Sequence, residues 1–285
     1  MYTGIVRWGP IVRSAAMVEF LSYGFVQRGL VAGSLVAASC ALLGVFLVLK
    51  RLSLIGDGMS HVCLTGVAVA LLTSTSPVYM SIPVVAVASL GIMKLTQKFR
   101  IYGDAAIGIV SAAGLSVGLL LTACAGGFNT DLLGYLFGSI LTVTSGETVL
   151  CGVLLAVVGG GILGFYRLLV TTCFDEAFAH TRGIPTQLVN TALVLITSVA
   201  VVLSFKVVGI FLISALLIIP PVGALLVSRT FKQVLWLAAG FGVASVWAGV
   251  YASFVLNIPS GASIIFVNLL ILFGCYVWSK GVRRG

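Results

Sequence analysis

The fold class this sequence predicts is an all-α polytopic membrane protein with eight to ten transmembrane helices, and three observations predict it. Mean hydropathy over the 285 residues is +1.22, with 60% hydrophobic and only 8% charged residues. Water-soluble domains carry roughly 25% charged residues, because charge keeps them in solution. Apolar stretches recur along the whole chain, each long enough to cross a hydrocarbon core roughly 30 Å thick as a helix. They are continuously apolar, without the two-residue alternation of a membrane β-barrel. The stretches leave no room for a water-soluble domain, so a single transmembrane domain over residues 1–285 is expected.

Residues 1–20 carry Arg7 and Arg13 among apolar side chains; either they form an interfacial segment along the membrane, or the chain has one crossing more or fewer than nine. The first span is expected at 22–48 and the second at 54–72, joined by Lys50 and Arg51. The uncharged "TSTSP" at 73–77 leads into a third span at 77–93. Basic residues from 94 to 100 precede a fourth at 105–124, where Asp104 complements the positive end of a helix dipole. "FNTDLLGYLFGSILTVTSGE" at 128–147 holds a short apolar piece that is interfacial, re-entrant or spanning, with Asn129 and Asp131 as candidate entrance residues. Glu147 opens the next span, 147–166. The remaining spans are read at 188–204, 208–227, 235–254 and 262–278, with Lys206 snorkelling between two of them. Within 208–227, Pro220 and Pro221 remove backbone donors and predict a kink or break. Neighbouring helices or a polar cavity must then satisfy the freed carbonyls.

The net charge of +9 does not indicate a nucleic-acid partner, because the basic residues sit in short clusters at span edges. The positive-inside bias places Lys50-Arg51, 94–104, 167–187, 229–232 and the C-terminal end in the cytoplasm. The nearly uncharged 73–77 and 256–261 then fall outside. Nine spans would put the N-terminus outside too, against the charge of Arg7, Arg13 and Arg28. The six cysteines form no CxxC pair and read as small buried hydrophobes.

Asp57 and His61 are the residues most at odds with this composition. At i and i+4 they share one helix face, about 6 Å apart. An ionisable group inside a bilayer is costly unless paired or hydrated, so the pair is a functional candidate. Three readings stand side by side. Asp57 after Gly56 is a plain helix N-cap beside the interface; or the pair relays protons, since imidazole titrates near neutral pH; or it holds a divalent cation such as Zn²⁺ or Mn²⁺ in transit. Two donors make an incomplete sphere, which suits a site that must release its ion. Ser60 and Thr65 lie on or near the same stripe as candidate supporting hydroxyls.

The longest polar stretch, 167–190, displays Phe174, Asp175, Glu176 and Phe178 and ends at Gly183 and Pro185. That pattern predicts a short amphipathic helix on the cytoplasmic side and a docking surface for a partner. No GxxxxGK[ST] phosphate loop is present, so the chain is not expected to hydrolyse ATP itself. An enzyme is not the reading; if the chain transports actively, the energy must come from an ion gradient or another subunit, and a non-transporting membrane scaffold is the other reading.

"FLVLKRLSLIGDGMSHVCLTGVAVALL" resembles the first signature of the permease subunits of bacterial ABC importers for zinc and manganese, roughly R-R-L-A-L-x-G-D-A-x-S-H-A-x-L-P-G. The resemblance continues through "YGDAAIGIVSAAGLSVGLLL", "DLLGYLFGSILTVT", "CFDEAFAHTRGIP", "VVGIFLISALLIIPPVGALLVSR" and "NIPSGASIIFVNLLILF", colinear over residues 20–278. It implies a multi-pass protein of the bacterial cytoplasmic membrane that imports Zn²⁺, or Mn²⁺ or Fe²⁺, with no permanently bound cofactor. The implied partners are a second permease subunit, two cytoplasmic ATP-binding subunits and an extracytoplasmic metal-binding protein. Asp57 and His61 match the acid and histidine of the family's metal path. Residues 171–186 match the cytoplasmic coupling segment, with Phe174, Asp175, Glu176, Phe178, Arg182 and Gly183 facing the ATPase. Arg51 and Gly56 match flanking motif positions. "YLFGSI" leans towards zinc members. A secondary proton-coupled carrier and an ABC permease for a chelated metal remain the alternatives. Two positions depart from the pattern: Thr65 stands where proline is usual, and Pro221 replaces a small residue after Pro220.

Overall fold

A computed structural model describes residues 24–99, 101–124, 143–256 and 258–282. The interfacial reading of 1–20 and most of the 128–147 segment, with Asn129, Asp131 and "YLFGSI", lie outside the described residues, as does the Lys206 side chain. Among the described residues there are helices and no strands. They are α1 (Gly24–Leu49), α2 (Ile55–Thr73), α3 (Pro77–Lys98), α4 (Gly103–Cys124), α5 (Ser145–Gly164), α6 (Tyr166–Phe174), α7 (Glu176–Thr181), α8 (Thr186–Val208), α9 (Ile210–Val227), α10 (Phe231–Leu256) and α11 (Ser260–Val282). Eight of these are long and apolar enough to cross a membrane, within the expected eight to ten. Each of the nine expected spans coincides with one long helix.

The ends follow local chemistry. Thr144 and Glu147 form a capping box at α5, its carboxylate 2.9 Å from the Thr144 amide and the Glu147 amide 3.3 Å from the Thr144 hydroxyl. Asp104 falls in the first turn of α4. Helix α3 runs on to Lys98, past the apolar limit at 93, because Thr96, Gln97 and Lys98 continue the helix into water.

Helices α1 and α2 are the most buried, α1 packed by α5, α8, α9 and α10 and α2 mainly by α3 and α4. Helices α3, α4, α5 and α11 lie outside with most of their surface open. Close approach is bought by glycine, as small residues allow in membrane bundles. A Cβ at Gly249 of α10 would stand 2.5 Å from Cα of Ile264 in α11, and one at Gly114 of α4 would stand 2.9 Å from Cα of Val62 in α2.

Of the kink or break expected at the proline pair, the break is absent. Helix α9 runs through Pro220 and Pro221 without interruption. The interruption lies at Gly209, whose φ of +87° separates α8 from α9 and is open to glycine without strain. The two prolines still withhold donors from the carbonyls of Leu216 and Leu217.

Candidate functional site

Helix α2 is nearly sealed. From Ile55 to Ala70 every residue is buried except Asp57, His61 and Val69. Those three, with Thr65 between, recur every fourth residue and form one narrow stripe on the helix. Three neighbours close the remaining faces. Added Cβ atoms would meet Leu217 of α9 at 2.4 Å from Gly56, Ile107 of α4 at 2.7 Å from Gly58, and Ser81 of α3 at 2.5 Å from Gly66. The ionisable pair therefore occupies the one open strip of a helix that packing otherwise covers.

The Asp57 carboxylate Oδ2 lies 3.6 Å from His61 Nε2, and their side chains are 53% and 34% exposed. Asp57 is not the N-cap; that position belongs to Leu54, which makes no side-chain cap bond. Asp57 sits in the first turn instead, where the positive end of the helix dipole favours a carboxylate. Among the described residues no group of three or more His, Cys, Asp or Glu gathers to hold a metal, so the pair offers at most two side-chain donors.

The supporting hydroxyls point elsewhere. Ser60 is fully buried and donates to the Gly56 carbonyl at 2.7 Å. Thr65 donates to the Gly114 carbonyl at 2.5 Å, joining α2 to α4. Both protons are thus given to backbone, and α2 continues past position 65 as helix to Thr73.

The segments that charge places in the cytoplasm do converge. A cavity of about 910 Å³ is lined by the α1–α2 turn, the end of α3, the start of α4, α6, α7 and the start of α8. Lys50, Arg51, Asp104 and Glu176 give it its charge, and His180 also lines it. Beside it the expected short helix forms as α7. Asp175 caps it, accepting from the Phe178 amide at 2.8 Å, and Gly183 with φ +73° ends the segment before α8. Glu176 accepts from Asn190 at 3.0 Å, and the Arg182 guanidinium lies 4.9 Å from the Phe178 ring centre. Phe174 and Phe178 are exposed, 67% and 46%. Exposed aromatics thus lie beside acids on this segment.

Sequence reading missed two features. Phe231 gathers three aromatic rings, from Phe46, Tyr166 and Phe174, a meeting of distant residues that no local pattern announces. Asn268 of α11 is 1% exposed with no hydrogen-bond partner for either carboxamide atom, and its signal was a lone amide inside an apolar span.

Comparison with known proteins follows the same outline. The family described as the ABC 3 transport family matches residues 22–279. The manganese transport system membrane protein MntC of Halalkalibacterium halodurans is 35% identical over 252 residues, 87% of this chain and 85% of that protein. A probable iron transport system membrane protein of Haemophilus influenzae is 30% identical over 266 residues, 93% of this chain and 97% of that one. Among solved structures, PsaBC from Streptococcus pneumoniae in complex with Fab superposes with a TM-score of 0.83 at 28% identity, covering 92% of this chain and 95% of that chain.

Proposed function

The chain belongs to the ABC 3 transport family, and from that premise we propose that it is the membrane-spanning subunit of an ATP-driven importer of divalent metal ions. It is a multi-pass membrane protein, and we place it in the bacterial cytoplasmic membrane. The observation that carries the reading is the open stripe of α2: packing covers the rest of the helix and leaves Asp57 and His61 accessible. A carboxylate oxygen and an imidazole nitrogen suit Mn²⁺, Fe²⁺ and Zn²⁺ alike. Relatives named for manganese and iron support the first two, so we set Mn²⁺ ahead of zinc.

The geometry favours transit over storage. Two donors leave most of the coordination sphere to water, and the positive end of the α2 dipole opposes a bound cation. Such a site holds an ion briefly and lets it go. The energy comes from partner subunits, because this chain has no phosphate loop. Residues 1–285 act as one permease domain, and the 171–186 segment presents Phe174, Asp175, Glu176, Phe178, Arg182 and Gly183 to a cytoplasmic ATPase. A second permease subunit and an extracytoplasmic metal-binding protein complete the assembly.

The test is uptake of Mn²⁺, Fe²⁺ and Zn²⁺ in competition by the complex in proteoliposomes. Asp57→Ala and His61→Ala are each expected to lower uptake by about tenfold or more, with the chain still in the membrane. Undiminished uptake removes the pair from the path. Uptake by this chain alone under a pH gradient, without ATPase, would establish a proton-coupled carrier instead.

A further inference from the structure

We propose that Phe231 and Lys50 are positioning residues that clamp the ATPase-docking segment to the cytoplasmic end of α1, and through it to the helix carrying Asp57 and His61. The inference rests on the docking role given to 171–186. Helix α6, which delivers the chain into that segment, is only nine residues long. Phe231, the first residue of α10, holds both of its ends. The Phe231 ring centre lies 5.9 Å from Tyr166 and 5.8 Å from Phe174, the latter edge-on. On its other side it lies 5.7 Å from Phe46 of α1, which is fully buried. One ring thus joins a surface aromatic of the docking segment to the bundle core. Aromatic pairs at such distances contribute beyond their buried area.

A second tie runs in parallel. The Lys50 ammonium donates to the Thr172 carbonyl at 3.0 Å, in the last turn of α6, where a cation also complements the helix dipole. Lys50 opens the turn between α1 and α2, and that turn is stiff. The Leu52 amide donates to Leu47 at 2.9 Å and the Ile55 amide to Leu52 at 3.0 Å, while Arg51 is held at φ +57°. Asp57 follows in the first turn of α2. Docking segment, α1 end, turn and cation pair are therefore joined by direct contacts, the physical requirement for coupling between separated sites. Helix α7 has a lighter hold of its own, through Glu176 and Asn190. Without the clamp the ATPase would still dock, but its movement would not reach α2.

The experiment uses the intact complex with its ATPase subunits, comparing Phe231→Leu and Lys50→Gln with Phe231→Tyr and Lys50→Arg. Two quantities are read: ATP hydrolysed per metal ion imported, and nucleotide-dependent hydrogen exchange at Ile55–His61. Leucine keeps the apolar bulk, so folding and ATPase co-purification are retained. Phe231→Leu and Lys50→Gln are expected to raise ATP per ion by about fivefold or more, and to abolish the exchange response of α2 while α7 stays protected. The conservative variants restore both. Uptake and hydrolysis falling together at a constant ratio, or an α2 response equal to the original, overturns the clamp. The exchange readout does not depend on the cargo, so a complex that imports no metal yet loses its α2 response in Phe231→Leu refutes the metal reading and leaves the clamp standing.

Discussion

The carbonyl oxygen of Leu217 lies against the α-carbon of Gly44, so close that a Cβ at position 44 would stand 2.0 Å from it. Pro221 cannot donate to that carbonyl, and α1 fills the space beside it with its own backbone. The Leu217 side chain then reaches Gly56, just before Asp57. A residue of α9 is thereby wedged between the end of α1 and the start of the site helix.

Gly44→Ala must displace backbone, since its nearest neighbour is a carbonyl that cannot rotate away. We expect a loss of about 3 kcal/mol, the upper range for an overpacked core, read as a lower thermal midpoint in detergent. Gly91→Ala is the control: nothing lies within 4 Å of a Cβ there, so the midpoint should hold or rise slightly. Equal midpoints for the two variants would show that the α1–α9 contact is looser than described.

Thr65 ties α2 to α4 through the Gly114 carbonyl. Thr65→Val keeps the shape and removes the donor, and should cost about 1 kcal/mol, as hydrogen bonds between membrane helices do. Because the hydroxyl serves packing, metal competition among Mn²⁺, Fe²⁺ and Zn²⁺ should not change. A changed metal preference in Thr65→Val would return this residue to the cation site.

Much of this was legible in the sequence, and the rest was hidden for one physical reason. Spans, helix starts and the short helix at 176–181 announce themselves because each is a switch between apolar and polar chemistry, as at Asp104 or Glu147. Inside the bilayer that contrast disappears. Lipid is as apolar as a leucine, so periodicity does not separate a buried face from a lipid face. Hence the narrowness of the Asp57–His61 stripe, the wedge at Leu217 and the ring cluster at Phe231 needed coordinates. The prolines misled for a related reason. They mark lost hydrogen bonds, whereas the chain turns at Gly209, where a positive φ is free.

Cys173 lies on α6 beside the cavity of about 910 Å³, and its thiol is pushed up to about 11. Burial is the main cause; Lys50 pulls the value down and Glu176 pushes it up. With the other cysteines replaced by serine, maleimide should label Cys173 slowly near neutral pH and faster as the pH approaches 11, because the thiolate reacts. Glu176→Gln should speed labelling and Lys50→Gln slow it. The linkage has a definite sign. The folded state keeps a proton that an unfolded thiol releases near 9, so this group's contribution to stability is complete below about pH 9 and is lost as pH rises through 11. Rapid labelling at pH 7 would contradict the burial.

Asn268 sits within the buried stripe of α11, next along the helix from Ile264, which presses on Gly249 of α10. Its carboxamide is 1% exposed and neither polar atom has a partner. Leaving such a group unpaired costs about 1–3 kcal/mol, whereas a side chain of similar bulk without polar atoms avoids that cost. Asn268→Leu should therefore raise the thermal midpoint of the isolated chain, and Asn268→Asp, which buries a carboxyl in the same place, should lower it. Aspartate is nearly isosteric with asparagine, so Asn268→Asp changes polarity at almost constant volume. If Asn268→Leu instead lowers the midpoint, the amide is satisfied in the native membrane, and the α10–α11 packing around it differs from that described.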